Sequence, residues 1–147
     1  MTAHPYVYFF QSNRPDGNAN MNDLLGAKGA RLASMANAGL PVPPGFTIST
    51  AACREYLDGD KQFPGTLHEE IQVNLADLEA LCGQELGDES DPLLLSVRCG
   101  AASGMPGLLD SVLNLGLNDT TVEALARRTT DSRFAWDSYQ RFIAMYG

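Results

Sequence analysis

The stretch that decides the fold is residues 24–50, LLGAKGARLASMANAGLPVPPGFTIST, because it joins a helix to a strand through a sharp stop. Its apolar residues recur at helical spacing on one face: Leu25, Leu32, Met35 and Ala36. Asn22 or Asp23 is suited to cap this helix, and Gly39 followed by prolines predicts its end. Residues 45–50, GFTIST, then predict a strand.

Further elements are predicted before and after this stretch. Residues 6–10 are a short aromatic run typical of a strand, and residues 51–57 predict a short helix that Gly59 ends. Thr66 and Glu69 have capping-box spacing and open an amphipathic helix. Its apolar positions are Leu67, Ile71, Leu75, Leu78 and Leu81.

The second half of the chain repeats this mixture of strands and helices. Residues 93–97, LLLSV, are a continuous apolar run typical of a buried strand, and residues 108–117 are expected to be extended in part. Thr120 and Glu123 again have capping-box spacing, at the start of a helix that runs through Arg128.

A last helix starts near Asp131 and carries an aromatic cluster. The cluster consists of Phe134, Trp136, Tyr139, Phe142 and Tyr146. We expect these rings to pack into a core rather than to stack on bases. Together the predicted elements indicate an α+β or α/β fold, with an α/β portion over residues 1–117 and the start of a helical portion over residues 118–147.

Composition excludes several classes of protein. The 147 residues fit one domain or part of one, and 44% hydrophobic residues exclude general disorder. A net charge of -8 gives no sign of the basic surface that binds nucleic acids. No apolar run is long enough to cross a membrane. Three isolated cysteines (Cys53, Cys82 and Cys99) and two isolated histidines provide no metal-ligand spacing. We therefore expect a cytoplasmic protein with free thiols and no metal site of its own.

The first candidate for chemistry is Lys28, which stands between Gly26 and Gly29 near the start of a helix. Glycines allow a phosphate to approach the backbone, and the ammonium group supplies a point charge. The alternative is a lysine whose stem lies on apolar surface while its head stays in water. Spacing alone favours that alternative.

The second candidate is Arg98, directly after the predicted buried strand. Strand ends present ligand groups in open α/β sheets, and a guanidinium group matches the geometry of phosphate oxygens. A structural ion pair with one of the many carboxylates is an equally good interpretation.

The third candidate is the loop of small residues from Cys99 to Gly107. Its backbone amides are suited to surround phosphates, and the alternative is a flexible connector. The candidate nucleotide contacts within it are Gly100, Ala102, Gly104, Met105 and Gly107. Lys28, Arg98 and this loop together predict a triphosphate site.

Two long motifs support that prediction by resemblance. Residues 24–50 and residues 94–119, LLSVRCGAASGMPGLLDSVLNLGLND, resemble the N-terminal nucleotide-binding part of the pyruvate, phosphate dikinase family. Residues 6–10 and 133–147 resemble it too, so the likeness covers essentially the whole chain. The MPGLLDSVLNLGLND motif favours the dikinase over its relative phosphoenolpyruvate synthase.

The resemblance implies a partial ATP-grasp domain at the start of a much longer enzyme. Such enzymes convert ATP, phosphate and pyruvate to AMP, pyrophosphate and phosphoenolpyruvate, with magnesium. It implies phosphate-binding roles for Lys28 and Arg98, and a nucleotide-covering role for Gly100 to Gly107. It also implies partners beyond this chain, namely a phosphohistidine domain, a pyruvate-binding domain and a second subunit of a homodimer.

The chain also departs from the family pattern. Cys99 and Gly104 stand where the family commonly has serines, so hydroxyl groups are lost near the phosphates. Neither His4 nor His68 matches the histidine that the family phosphorylates, and the magnesium ligands are expected in a later part of the enzyme. We therefore expect an inactive fragment of the dikinase. The alternatives are a non-catalytic interaction module, or a fragment of phosphoenolpyruvate synthase or another dikinase.

Overall fold

A computed structural model describes residues 5–12, 15–100 and 111–146 of the chain. The strands are β1 (Val7–Phe10), β2 (Gly45–Ile48), β3 (Leu95–Arg98) and β4 (Ser111–Leu115). The helices are α1 (Asn22–Asn37), α2 (Thr50–Asp58), α3 (Leu67–Cys82), α4 (Thr121–Thr129) and α5 (Ser132–Tyr146). The predicted mixture of helices and strands is confirmed, and the strands form two antiparallel pairs, β1 with β2 and β3 with β4.

The described residues divide into two compact units. The first contains the residues up to Leu78 together with Gly100, and the second contains residues 79–99 and 111–146. The division predicted at residue 117 stays a prediction.

In the first unit, α1 packs through its smallest residues. Gly29, Ala30, Ala33 and Ala36 are buried, whereas Leu32 is half-buried and Met35 is exposed. The predicted apolar face is therefore right for Leu25 and Ala36 and wrong for Met35. The reason is steric: a Cβ atom added to Gly29 would lie 3.0 Å from Cγ2 of Thr47, so only small residues allow so close an approach to β2.

The end of α1 follows the prediction and its start does not. Gly39 adopts a φ of 72°, and its N–H donates to the Ala36 carbonyl while Leu40 N–H donates to the Met35 carbonyl. This pair of bonds is the Schellman motif, which satisfies carbonyls at a helix end. At the other end the capping position belongs to Met21, which makes no side-chain cap, rather than to Asn22 or Asp23.

The second strand is shorter than predicted. β2 ends at Ile48, and the buried Ser49 caps α2 by accepting a hydrogen bond from Ala52 N–H at 3.4 Å. Ser49 is therefore the N-cap of α2 and Thr50 is its first residue, because a serine hydroxyl readily accepts a hydrogen bond from an amide at the start of a helix. The predicted helix over residues 51–57 and its end at Gly59 are confirmed.

A single carboxylate attaches the first strand to α3. Glu70 Oε2 accepts hydrogen bonds from Tyr6 N–H at 2.6 Å and from Val7 N–H at 3.0 Å. Its other oxygen accepts a bond from the Thr66 hydroxyl at 3.0 Å. The strand and helix that Glu70 connects also share a hydrophobic cluster, which contains Val7, Ala52 and Leu67.

In the second unit, β3 and β4 pair with Leu95 opposite Leu115 and Arg98 opposite Ser111. The prediction of a buried strand over residues 93–97 is wrong in two respects. The strand begins at Leu95, and Val97 is 46% exposed. A two-stranded sheet with α5 packed against β4 has too few neighbours to cover both faces of β3.

The capping box predicted at Thr120 and Glu123 is replaced by a reciprocal pair earlier in the chain. Thr120 makes no side-chain cap. Asn118 Oδ1 accepts the N–H of Thr121 at 2.9 Å, while Asn118 N–H donates to Thr121 Oγ1 at 2.7 Å. The start of α5 is as predicted, since Asp131 Oδ1 accepts Phe134 N–H at 2.9 Å.

The aromatic cluster of α5 does not form a core among the described residues. The helix buries Ala135 and Ser138, and Ala135 packs with Val122 and Ala126 of α4. Phe134, Trp136 and Tyr146 are 51%, 46% and 71% exposed, so the expected core packing is wrong for these three rings.

Tyr139 and Phe142 are half-buried, and Tyr139 is also fixed at its polar end. Its hydroxyl donates to Asp119 Oδ1 at 2.8 Å, and this hydrogen bond to a carboxylate raises the pKa of Tyr139.

Among the described helices, none combines the length and apolar character required to span a bilayer.

Replacing Glu70 tests how much its bonds contribute. Glu70→Ala leaves two strand amides without their acceptor, so we expect the free energy of unfolding to fall by about 1–3 kcal/mol in urea denaturation. The matched control is Glu69→Ala, an exposed carboxylate on the same helix, which should change it by about 0.5 kcal/mol at most. Equal losses in the two variants would contradict a special role for Glu70.

Candidate functional site

Lys28 lies just after a break in α1. Gly26 has a φ of 68° and a ψ of 167°, values outside the helical range, so the helical ladder is interrupted there. A second helical segment therefore starts at Ala27, and Lys28 is its second residue. The first amides of a helical segment point out along its axis and favour an anion.

The two glycines beside Lys28 have different physical roles. Gly26 adopts a backbone conformation that side chains disfavour strongly, so it sets the position of the break. Gly29 is buried against Thr47 of β2, so its lack of a side chain serves packing. The sequence predicted that both glycines serve ligand approach, and for Gly29 the protein contact is the structural reason.

The side chain of Lys28 is exposed on α1. Along the helix it lies between Leu25, which is buried, and Leu32, which is half-buried. The position is therefore at the edge of an apolar face, as the sequence predicted.

The hydroxyl of Thr50 fixes the turn that precedes the break. It donates a hydrogen bond to the Asp23 carbonyl, so the start of α2 is connected to the first turn of α1. Sequence reasoning missed this contact because it joins residues 27 positions apart. It holds the backbone on the N-terminal side of Gly26.

Arg98 is the last residue of β3 and is exposed. Arg98 stands at the end of a strand, as predicted, and this strand pairs with β4 in an antiparallel arrangement rather than in an open α/β sheet. In the part of the chain that the structure describes, no carboxylate lies within ion-pair distance of Arg98; the ion pairs there are Arg128 with Asp91 and Arg141 with Asp137. Its guanidinium group therefore has no structural ion pair among those residues.

The predicted loop is described only at its start. Cys99 and Gly100 are exposed, and a Cβ atom added to Gly100 would meet nothing within 4 Å. The predicted contacts Ala102, Gly104, Met105 and Gly107 lie outside the described residues. Lys28 belongs to the first unit and Arg98 to the second, so their convergence on one ligand stays a prediction.

Across residues 5–12, 15–100 and 111–146, no group of three or more histidine, cysteine or acidic side chains is arranged to hold a metal ion. His68 is exposed in the first turn of α3, and His4 lies outside the described residues.

Part of the chain matches a known protein family. Residues 22–61 match the family described as "Pyruvate phosphate dikinase, AMP/ATP-binding domain". This match contains Lys28 and the Gly26 break, and it ends before Arg98. This stretch is therefore similar to an AMP/ATP-binding domain.

Individual relatives extend the match to nearly the whole chain. Pyruvate, phosphate dikinase from Rhizobium meliloti (strain 1021) is 53% identical over 97% of the chain, and the chloroplastic enzyme from Mesembryanthemum crystallinum is 55% identical over 99%. The enzyme from Clostridium symbiosum is 50% identical over 96%. The chain is thus similar over nearly its whole length to part of several pyruvate, phosphate dikinases. It spans only 15–16% of the length of these relatives.

A substitution at Gly26 tests the break. Gly26→Ala forces a side chain into a conformation with positive φ, so we expect a loss of about 1–3 kcal/mol in the free energy of unfolding. The control is Gly65→Ala, where a Cβ atom meets nothing within 4 Å. That control should be neutral or slightly stabilising, because alanine restricts the unfolded chain. No difference between the two variants would show that the break at Gly26 carries no strain for a side chain.

Proposed function

We propose that this chain supplies part of the nucleotide site of a pyruvate, phosphate dikinase, with Lys28 as a ligand of ATP phosphates. The observation that carries the proposal is the position of Lys28 in the first turn after the Gly26 break, inside the stretch that matches the AMP/ATP-binding family. A helix start and an ammonium group act on the same anion there.

Because the chain is acidic overall, the position of Lys28 bears directly on where ATP would bind. The sequence has 18 acidic residues against 10 lysines and arginines, so its net charge of -8 repels a polyphosphate. A site for ATP in this setting requires local positive charge and backbone donors. Lys28 and the helical segment that starts at Ala27 provide both at one place.

Arg98 is proposed as the second phosphate ligand. It is exposed, and in the described part of the chain it has no carboxylate partner, which supports a ligand role over a structural ion pair. We assign nucleotide contacts to Gly100, Ala102, Gly104, Met105 and Gly107 of the following loop, on the basis of the family motif. Cys99 and Gly104 in place of serines would leave these contacts mainly to backbone amides.

In this proposal the whole reaction belongs to a longer enzyme with an ATP-grasp domain. ATP, phosphate and pyruvate would give AMP, pyrophosphate and phosphoenolpyruvate, with a phosphohistidine domain and a pyruvate-binding domain in a homodimer. Magnesium would be held by residues outside this chain, since we assign no metal ligand within it. Phosphoryl transfer depends mostly on positioning and charge neutralisation, and the chain would contribute to both.

The expected location in the cytoplasm also stays a prediction. Three exposed cysteines suit a reducing compartment. The relative from Mesembryanthemum crystallinum is described as chloroplastic, which is a different compartment.

The role of Lys28 can be tested in this chain because it contains only one other lysine, Lys61. We expect weak ATP binding by titration calorimetry or NMR. Lys28→Met should weaken it by about tenfold or more, since a bond to a charged group contributes about 1.5–3 kcal/mol. Lys61→Met removes the same charge elsewhere and should leave the affinity unchanged. Equal effects of both substitutions would indicate unspecific attraction and contradict the proposal.

The three cysteines give a second test. All are exposed, so each is open to alkylation in the absence of a ligand. If Cys99 borders the nucleotide, ATP should slow its alkylation and leave that of Cys53 and Cys82 unchanged, as measured by mass spectrometry of the labelled peptides. Unchanged labelling of Cys99 at an ATP concentration that saturates binding would place this thiol away from the nucleotide.

A further inference from the structure

Arg98 lies directly opposite Ser111 where the β3–β4 pair ends. Residues directly opposite each other in an antiparallel pair have Cβ atoms about 4.5–5.5 Å apart and project to the same side. Arg98 is exposed and Ser111 is half-buried. A guanidinium group and a hydroxyl group therefore stand side by side on one face of the pair.

This juxtaposition depends on an irregularity in β4. Leu115 lies opposite Leu95. A regular register counted from that pair of residues would set Val112 opposite Arg98. The register instead shifts by one residue, so that Ser111 takes this place. Such a shift is a β-bulge, an extra residue on one strand, and it changes which side chains share a face.

The backbone of β4 and of the turn after it fixes this bulge. Asn114 has a φ of 60°, in the left-handed region that asparagine tolerates better than most residues. Its carbonyl accepts the N–H of Leu117 at 3.2 Å. Gly116 has a φ of 115°, and a Cβ atom added to it would lie 2.6 Å from the carbonyl oxygen of Leu93. The position of the bulge is therefore determined by local backbone geometry.

The bulge separates the side chains of the pair by polarity. One face carries four aliphatic side chains, namely Leu95, Val97, Val112 and Leu115. The other face carries two hydroxyl groups beside the guanidinium group, from Ser96, Ser111 and Arg98. Without the bulge, an aliphatic side chain would replace the hydroxyl group opposite the arginine.

We propose that Ser111 is a phosphate ligand that acts together with Arg98. The inference rests on the proposed function, since Arg98 is assigned there to the phosphates of ATP. The hydroxyl of Ser111 donates a hydrogen bond to one oxygen of a phosphate group, while the guanidinium group donates to another oxygen of the same group. The bulge at Asn114 thus supplies a donor where the regular register would set the side chain of Val112, which has none.

Removing the hydroxyl tests the proposal. Ser111→Ala should weaken ATP binding about tenfold in titration calorimetry, the loss expected for one hydrogen bond to a charged group. Ser111→Thr keeps a hydroxyl and suits a strand, so it should bind ATP like the unaltered chain. Circular dichroism should show the same fold for both variants.

The matched control is Ser96→Ala, which removes an exposed hydroxyl from the same face, two residues before Arg98. It should leave the affinity for ATP unchanged. Unchanged ATP binding by Ser111→Ala would overturn the proposal. An equal loss in Ser96→Ala would overturn it too, because the effect would then belong to the polar face in general.

A double substitution tests whether the two side chains hold the same phosphate. If they do, Arg98→Met and Ser111→Ala together should weaken binding by less than the product of their separate effects, because either substitution alone already loosens that phosphate. Effects that multiply fully would indicate separate ligands and contradict the pairing.

Lys28→Met distinguishes a failure of this inference from a failure of the proposed function. If Lys28→Met and Arg98→Met weaken ATP binding while Ser111→Ala does not, the proposed function stands and Ser111 is not a ligand. If none of the three substitutions changes the affinity, the proposed function fails and this inference fails with it.

Discussion

The backbone conformation of Gly26 is the constraint on which the arrangement of the first unit depends. Its φ of 68° divides α1 into a short turn and a longer segment, so the axis of the longer segment starts at a defined point. The Thr50 hydroxyl holds the turn on one side of the break, and the buried Gly29 holds the segment against β2 on the other. Lys28 lies between these two attachments, so backbone geometry sets its place in the first unit.

The second unit depends on a different kind of contact. Val122, Ala126 and Ala135 meet in a cluster between α4 and α5, and Tyr139 packs against it. Three other large residues of α5 remain exposed, namely Phe134, Trp136 and Tyr146. The same preference for small residues at the closest contacts is seen where α1 approaches β2. In both units the helices pack closely because the residues on their contact faces are small. Large side chains lie at the edges of these contacts or on the surface.

Much of the local structure was predictable because short-range signals determine it. Gly39 and Asp131 make hydrogen bonds at helix ends with residues three positions away in the sequence. Both were identified from sequence. Asn118 was missed because its reciprocal bonds with Thr121 form a capping pattern in which threonine replaces the usual glutamate. Leu32 and Met35 were assigned to the core by size, whereas the requirement for close approach selected glycine and alanine.

Long-range features were less predictable. The run of leucines before Arg98 indicated a strand, but periodicity does not reveal whether a strand pairs in parallel or antiparallel. The candidate residue Lys28 came from its glycine neighbours, and its exposure agrees with a binding role. Most of the predicted loop contacts lie outside the described residues, so the sequence remains their main support.

The bonds of Glu70 have a consequence for the order in which the chain acquires its structure during synthesis. Tyr6 and Val7 are synthesised before Glu70, whose carboxylate accepts their amides and follows 64 and 63 residues later. Bringing together residues so far apart in the sequence costs chain entropy, and contacts between sequence neighbours do not offset that cost. Tyr6 and Val7 are therefore attached to α3 only after Glu70 has been made, and the edge of β1 stays open to other strands until α3 has formed.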